Sequence, residues 1–228
     1  MKYNSIIRGI FLKRVNRFIA HVLVDDTEHI VHVKNTGRCK ELLIAGVMVI
    51  LEPSQNPQRK TAFSIIAVYK GERLINMDSQ VPNHVVFEAL QAGRIPDLGL
   101  LEKMKKEVTY GNSRFDIYFE SAQHKNFIEV KGVTLEDEGV AMFPDAPTVR
   151  GTKHVYEMIK AVEAGYGGTV FFLIQMKGVS CFRPNVKMDE DFATALVLAR
   201  AKGVILLAYD CVVHEDEIVL GARVPILL

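Results

Sequence analysis

The pattern of apolar and polar positions changes character near residue 80. Before it, short alternating stretches follow one another closely: "GIFLKRVNRFIAHVLV", "HIVHVKN", "VMVILEP", "FSIIAVYKG" and "RLINMD". Alternation rich in β-branched residues reads as half-buried strands, because successive side chains on a strand point to opposite faces. Asp25-Asp26 and the stretch "EPSQNPQRK" supply turns between them. One short helix is expected within "RCKELLIAG". Five short strands and a small helix suggest a small closed barrel of the OB type, with a sandwich left open.

After "DSQVPN" the runs lengthen. Asn83 is expected to cap a helix through "HVVFEALQAG", which Gly93 ends. "KKEVTYG" and "SRFDIYFE" read as two strands joined at a Gly-Asn turn, and "NFIEVKG" as a third. A long proline-containing connection leads to a helix over roughly 149–164. "TVFFLIQM" and "VILLAYD" are almost wholly apolar, as strands covered on both faces are. The amphipathic helix "MDEDFATALVLARAKG" lies between them and ends at Gly203. The fold class expected is α/β, α+β overall: an OB-like β-barrel over residues 1–80, then a mixed-sheet domain over 81–228.

Charge sharpens this division. The net charge of +1 hides 12 Lys/Arg against 7 Asp/Glu in residues 1–80, and 16 against 20 in the remainder. A basic front suits a polyanion such as nucleic acid, although a merely soluble surface would also carry it. Three widely spaced cysteines without a CxxC pair suggest neither a zinc site nor a disulfide framework, and a reducing cytoplasm fits them. No run is long and apolar enough to span a bilayer, so no membrane partner is expected.

Candidate chemistry sits on the central strands. In "FIEVKG", Ile128 and Val130 point one way and Glu129 and Lys131 the other. In "SRFDIYFE", Phe115, Ile117 and Phe119 are expected on one face, Asp116 and Tyr118 on the other. If the two strands pair, Asp116, Glu129 and Lys131 meet on one patch. Two adjacent carboxylates repel unless a divalent cation lies between them, and Mg2+ (or Mn2+) takes oxygen ligands while keeping waters that a phosphate can displace. Lys131 would then hold or deprotonate the attacking water, or stabilise developing negative charge.

Asp116, twelve residues, Glu129, one residue and Lys131 together resemble the core of the PD-(D/E)xK nuclease superfamily. That resemblance implies a restriction-endonuclease-like fold for the second domain and a further glutamate from the preceding helix. Glu88 is the candidate third metal ligand and catalytic acid, with Glu107 as the competitor. A longer series carries a closer resemblance: "HVKNTGRCKELL", "NHVVFEAL", "EVTYGNSRFDIYF", "FIEVKGVTL" and "FPDAPTVRGTKH", in this order. Together they resemble the sugar fermentation stimulation protein A family across essentially the whole chain. The resemblance implies DNA binding, an OB-like N-terminal domain and a nuclease-like C-terminal domain, with an effect on sugar, particularly maltose, metabolism. The chain departs from the family at Lys34, where a proline is expected before "NTG", and at Val149, where an acid is expected after "DAPT".

Further candidates surround this set. Arg150, Lys153 and His154 fall in the first turns of the helix after the long loop, where an anion is favoured. Lys153 is the catalytic candidate among them, and His154 is expected to pack against Met158. Arg114 shares the face of Asp116 and is a DNA-binding candidate that would hold a phosphate, or only pair with an acid. In the barrel, Lys34 and Arg38 in "KNTGRCK" would cradle a phosphate, with a tight turn and helix cap as the equal alternative. Arg14, Arg17, Arg59 and Lys60 extend a DNA-binding track. Phe11, Phe18 and Phe63 are stacking candidates, with core packing the expected role.

Three functions follow from this reading. The first is a Mg-dependent nuclease acting on DNA. The second is a non-catalytic DNA-binding transcriptional regulator of sugar (maltose) metabolism. The third, a small-molecule enzyme or sugar sensor, finds no supporting motif. A homodimer is left open.

Overall fold

The computed structural model describes residues 1–228 except Thr36, Pro57, Ala122 and Gln123. The barrel is built from β1 (Ile7–Arg14), β2 (Ile19–Val24), β3 (Thr27–Val33), β4 (Met48–Pro53) and β5 (Phe63–Lys70). β1 pairs antiparallel with β2 and β4, β2 with β3, and β4 with β5. A parallel pairing of β3 with β5 closes the ring. This removes the open edges that a short sheet would expose. Alternation works as expected here: Ala20, Val22 and Val24 on β2 and Val31 and Val33 on β3 all point inward. β6 (Arg73–Asn76) folds back on β5 as a hairpin.

The helix expected in "RCKELLIAG" does not form. Residues 40–46 are turns and irregular backbone. Cys39 takes φ +43° and Gly46 φ +91°. Cys39, Leu42 and Leu43 are buried, so packing against the barrel holds the segment in turns.

A second sheet runs in the order β15-β14-β12-β9-β8-β7. Its strands are β7 (Lys103–Tyr110), β8 (Ser113–Ser121), β9 (His124–Val133), β12 (Gly167–Ile174), β14 (Ile205–His214) and β15 (Glu217–Arg223). β9, β12 and β14 run parallel at its centre, and β12 is almost wholly buried, as its apolar sequence requires. The short strands β10 (Leu135–Asp137), β11 (Val140–Phe143) and β13 (Cys181–Pro184) form a separate three-stranded sheet. α1 (Val81–Gln91) covers one face of the central sheet, burying Val85 and Ala89 in one cluster with Ile117 and Ile128. α2 (Val149–Glu163) and α3 (Glu190–Ala201) are buried with the opposite face, among Phe115, Phe127 and Phe172. Among the described residues no helix is long and apolar enough to cross a membrane.

Polar contacts fasten the barrel to the second unit. Glu136 on β10, 6 % exposed, accepts from Lys70 Nζ at 2.8 Å and pairs with Arg73 Nη1 at 2.9 Å. Gln175, just beyond β12, donates to Asn76 Oδ1 at 2.9 Å and to the Asp78 carbonyl at 3.1 Å.

Candidate functional site

The site forms where two strands part. β8 pairs with β9 from Ser121–His124 to Ile117–Ile128, and beyond that pair the ladder stops. The alternation expected along β8 also breaks there. Phe115 packs with Phe127, while Ile117 and Phe119 join the cluster under α1. On the neighbouring strand, Glu107 takes φ +55° between the pairs Lys106–Ile117 and Val108–Phe115. A local irregularity of this kind re-aims a side chain, and Asp116 turns into the fork. Its Oδ2 accepts from the Val130 amide at 2.8 Å, where a ladder bond would otherwise lie. Its Oδ1 accepts from Asn83 Nδ2 at 2.7 Å.

Asn83 is therefore a ligand of Asp116 and not the helix cap expected. α1 begins two residues earlier, at Val81, with Pro82 in its first turn and no side-chain cap bond. Proline needs no partner for an N–H there and its φ is preset for the helix. The polar side chain of Asn83 is left to face β8.

Glu129 is 3 % exposed and forms the floor of the site. Its Oε1 accepts from Lys131 Nζ at 2.7 Å, from the same face of β9. The same oxygen bonds to His154 Nδ1, which reaches across from α2. Thr148 Oγ1 caps α2 by accepting from Gly151 N at 3.1 Å. Asp189 fixes that cap from the side: it accepts from Thr148 N at 2.7 Å while capping α3 through Phe192 N at 2.8 Å. His154 thus bonds to Glu129 from a helix pinned at its start.

The two carboxylates differ electrostatically. Burial, and then the Glu129 charge, push the Asp116 carboxyl up to about 6, against the pull of the Val130 amide, Lys131 and Asn83. Burial also pushes Glu129 up, but His154 and Lys131 bring it below the usual carboxylate value. Glu129 Oε2 is buried and has no hydrogen-bond partner among the described residues. An unpaired buried carboxylate oxygen is costly, and a cation is one partner that would satisfy it. Asp116 and Glu129 fit a small divalent ion. Among the described residues no group of three or more His, Cys, Asp or Glu gathers to hold one. The remaining ligands would come from water, main-chain oxygen or phosphate, as Mg2+ commonly accepts.

Other expected site residues lie elsewhere. Glu88 does not join the acidic pair; it binds the N-terminal ammonium at 2.8 Å and His84 at 3.1 Å. Five residues of helix rotate it roughly 140° from Asn83 and carry it about 7.5 Å along the axis. Glu107 pairs with Arg114 at 3.5 Å, both largely exposed. Lys153 is exposed and donates to the Asn112 carbonyl at 3.2 Å, so its helical neighbour His154 is the residue that enters the site. Arg150 is exposed on the first turn of α2. Lys34 is no phosphate cradle: its Nζ is held by Glu52 at 2.6 Å and Asp78 at 3.0 Å. Arg14 spends its guanidinium on the carbonyls of Asn16, Arg17, Asn35, Gly37 and Arg38, tying loops together. Phe11 is buried and Phe63 stands edge-on to His29, whereas Phe18 is exposed. Lys60 is exposed and Arg59 half-buried in the β4–β5 connection.

Arg17 and Arg38 do line a cavity of about 970 Å3 between barrel and sheet domain, together with Lys13 and Lys40. The lining also includes Gln175, and Pro82 and Gly132, next in sequence to Asn83 and Lys131. Sequence reasoning missed Asn83 as the partner of Asp116 and Gln175 as a clasp between the two units, and it ranked His154 below Lys153. Their bonds are formed with partners 25 to 99 residues away, which no local pattern reveals.

A closed OB-type barrel fastened to a restriction-endonuclease-like sheet, with two acids and a lysine where central strands part, defines a class of two-domain proteins. Sequence comparison makes it particular. The family model for the SfsA N-terminal OB domain matches residues 12–77, and that for the sugar fermentation stimulation protein RE domain matches residues 80–217. The chain belongs to the sugar fermentation stimulation protein family. It is 57% identical over 231 residues to the sugar fermentation stimulation protein homolog of Alkaliphilus oremlandii, covering 99% of this chain and 98% of that one. It is 54% identical to the homolog of Desulfitobacterium hafniense strain Y51, covering 100% and 99%. The solved structure of Pyrococcus furiosus SfsA in complex with Ca2+ is similar over 100% of this chain and 98% of that one, with 27% identity and a TM-score of 0.91.

Proposed function

We propose that this protein hydrolyses phosphodiester bonds in DNA with Mg2+ (or Mn2+) held by Asp116 and Glu129. The observation that carries this reading is the buried, unpartnered Glu129 Oε2, beside Asp116 and one residue from Lys131. The Pyrococcus furiosus SfsA structure is a complex with Ca2+, a cation that takes oxygen ligands, which supports this reading. When bound, the ion would polarise the phosphate and lower the pKa of a water. The protein groups have separable tasks. Asn83 and the Val130 amide orient Asp116. His154 holds Glu129 Oε1, leaving Oε2 open. Lys131 is the only ammonium bonded to the acidic pair among the described residues; turned from Glu129, that ammonium can meet the negative charge developing on the phosphate.

A non-catalytic DNA-binding regulator of sugar (maltose) metabolism is the second reading. The specific observation on its side is that Glu88 lies outside the site and no third acid replaces it among the described residues. A cleavage panel separates the two. Labelled single-stranded, duplex and branched DNA is incubated with Mg2+ or Mn2+ and wild-type, Asp116→Ala or Lys131→Ala protein. Metal-dependent cutting lost in both variants supports the nuclease. Salt-sensitive binding without cutting, unchanged in both variants, supports the regulator.

A further inference from the structure

The lining of the cavity between barrel and sheet domain is of two chemical kinds. Lys13, Arg17, Arg38 and Lys40 supply cations from the barrel. Asp145 is the only acid in the lining among the described residues, and its Oδ2 already accepts from the Arg38 amide at 2.9 Å. The lining also carries apolar residues: Leu12, Leu43 and Ala45 from the barrel, Phe143 at the end of β11, and Pro144 and Pro147 from the connection that leads into α2. Phe143 is backed by Phe192 at 5.1 Å between ring centroids, so its position is fixed by packing. A purely phosphate-binding surface needs the cations and has no use for the apolar lining.

A duplex presents phosphates, sugars and base edges, with its base faces hidden in the stack. A single strand presents phosphates and free base faces together, which is what a cationic groove with apolar or aromatic platforms binds. Size agrees. A cavity of about 970 Å3 lies at the upper end of the roughly 300–1,000 Å3 that encloses one drug-sized ligand. It accommodates about two or three unstacked nucleotides and not a double helix. Pro82 and Gly132, the chain neighbours of Asn83 and Lys131, are among its lining residues.

We propose that this cleft is the binding channel for one strand of DNA, with phosphates on Lys13, Arg17, Arg38 and Lys40 and bases against the Leu12–Phe143–Pro147 side. The channel delivers that strand to the Asp116–Glu129–Lys131 fork. For this last step only, it rests on the nuclease reading.

The test is fluorescence anisotropy with full-length protein in EDTA, so that cleavage plays no part. Three probes of equal length are used: a single strand, its duplex, and a single strand of abasic sites. The single strand is expected to bind at least about tenfold more tightly than the duplex. Losing the bases is expected to weaken it by about tenfold or more, since one stacked base contributes a factor of that order. Arg38→Glu with Lys40→Glu, both at exposed side chains, is expected to weaken single-strand binding and flatten its salt dependence. Duplex binding equal to or tighter than single-strand binding overturns the proposal, as does an abasic strand that binds equally well. Single-strand preference in a protein that cuts nothing with metal would refute the nuclease reading and leave the channel standing.

Discussion

Glu136 offers the sharpest test of how the two units are held together. It is buried on β10 and takes three donors: Lys70 Nζ at 2.8 Å, Arg73 Nη1 at 2.9 Å and the Gly139 amide at 2.6 Å. Both cations come from the β5–β6 hairpin of the barrel. Burial pushes the carboxyl up, but these donors hold it well below the usual value, at about 2 against 4.5. A depression of that size corresponds to about 3 kcal/mol. Because Lys70 and Arg73 remain about a third exposed, water screens part of it, and about 2 kcal/mol is the expected cost of Glu136→Gln. The sign follows from linkage. A group with a lowered folded-state pKa stabilises the fold fully above its unfolded value, and that stability is lost as pH falls through the window from about 4.5 to about 2. Urea unfolding followed by circular dichroism should find the variant less stable by about 2 kcal/mol at pH 7. The gap should shrink by more than half by pH 3. An equal gap at both pH values, or less than about 0.5 kcal/mol at pH 7, would refute the assignment of Glu136 as an ionised clasp.

Other residues give shorter tests. Lys34→Met leaves Asp78, 2 % exposed at its side chain, without its cation; the expected loss is about 3 kcal/mol in a urea melt, with the salt slope of DNA binding unchanged. Glu88→Gln should leave metal-dependent cleavage within about twofold of wild type and cost under about 1 kcal/mol, since its partners are surface groups. His154→Ala removes the donor that fixes Glu129 Oε1. It should lower cleavage by at least about tenfold while single-strand binding in EDTA stays unchanged, as His154 does not line the cleft.

The strands were readable because each carries its signal locally. The alternation of "FIEVKG" places Glu129 and Lys131 on one face, and the structure has them bonded at 2.7 Å. The Gly111-Asn112 turn joins β7 to β8 as read, and the apolar run of β12 is buried as read. The parallel closure of β3 on β5 gives the barrel the closure that five short strands suggested. What escaped sequence reasoning was decided by distant partners. Strict alternation put Phe115 with Ile117, but the strand irregularity at Asp116 separates them. Asn83 had the chemistry of a cap, yet Pro82 starts the helix earlier and Asp116, 33 residues on, takes its amide. Lys34 and Arg14 looked like phosphate ligands by type. Acids at positions 52 and 78 neutralise the first, and five loop carbonyls occupy the second. Basic residue type marks a candidate; which charges remain available is settled only by tertiary neighbours.

The account turns on a cation at the fork of β8 and β9. Titrating Mn2+ into wild-type protein and into Asp116→Asn, with bound ion read by electron paramagnetic resonance, tests that most directly. One site per chain in the wild type, weakened at least about tenfold in the variant, is the predicted result. Equal Mn2+ binding by both proteins, or none by the wild type, would contradict it.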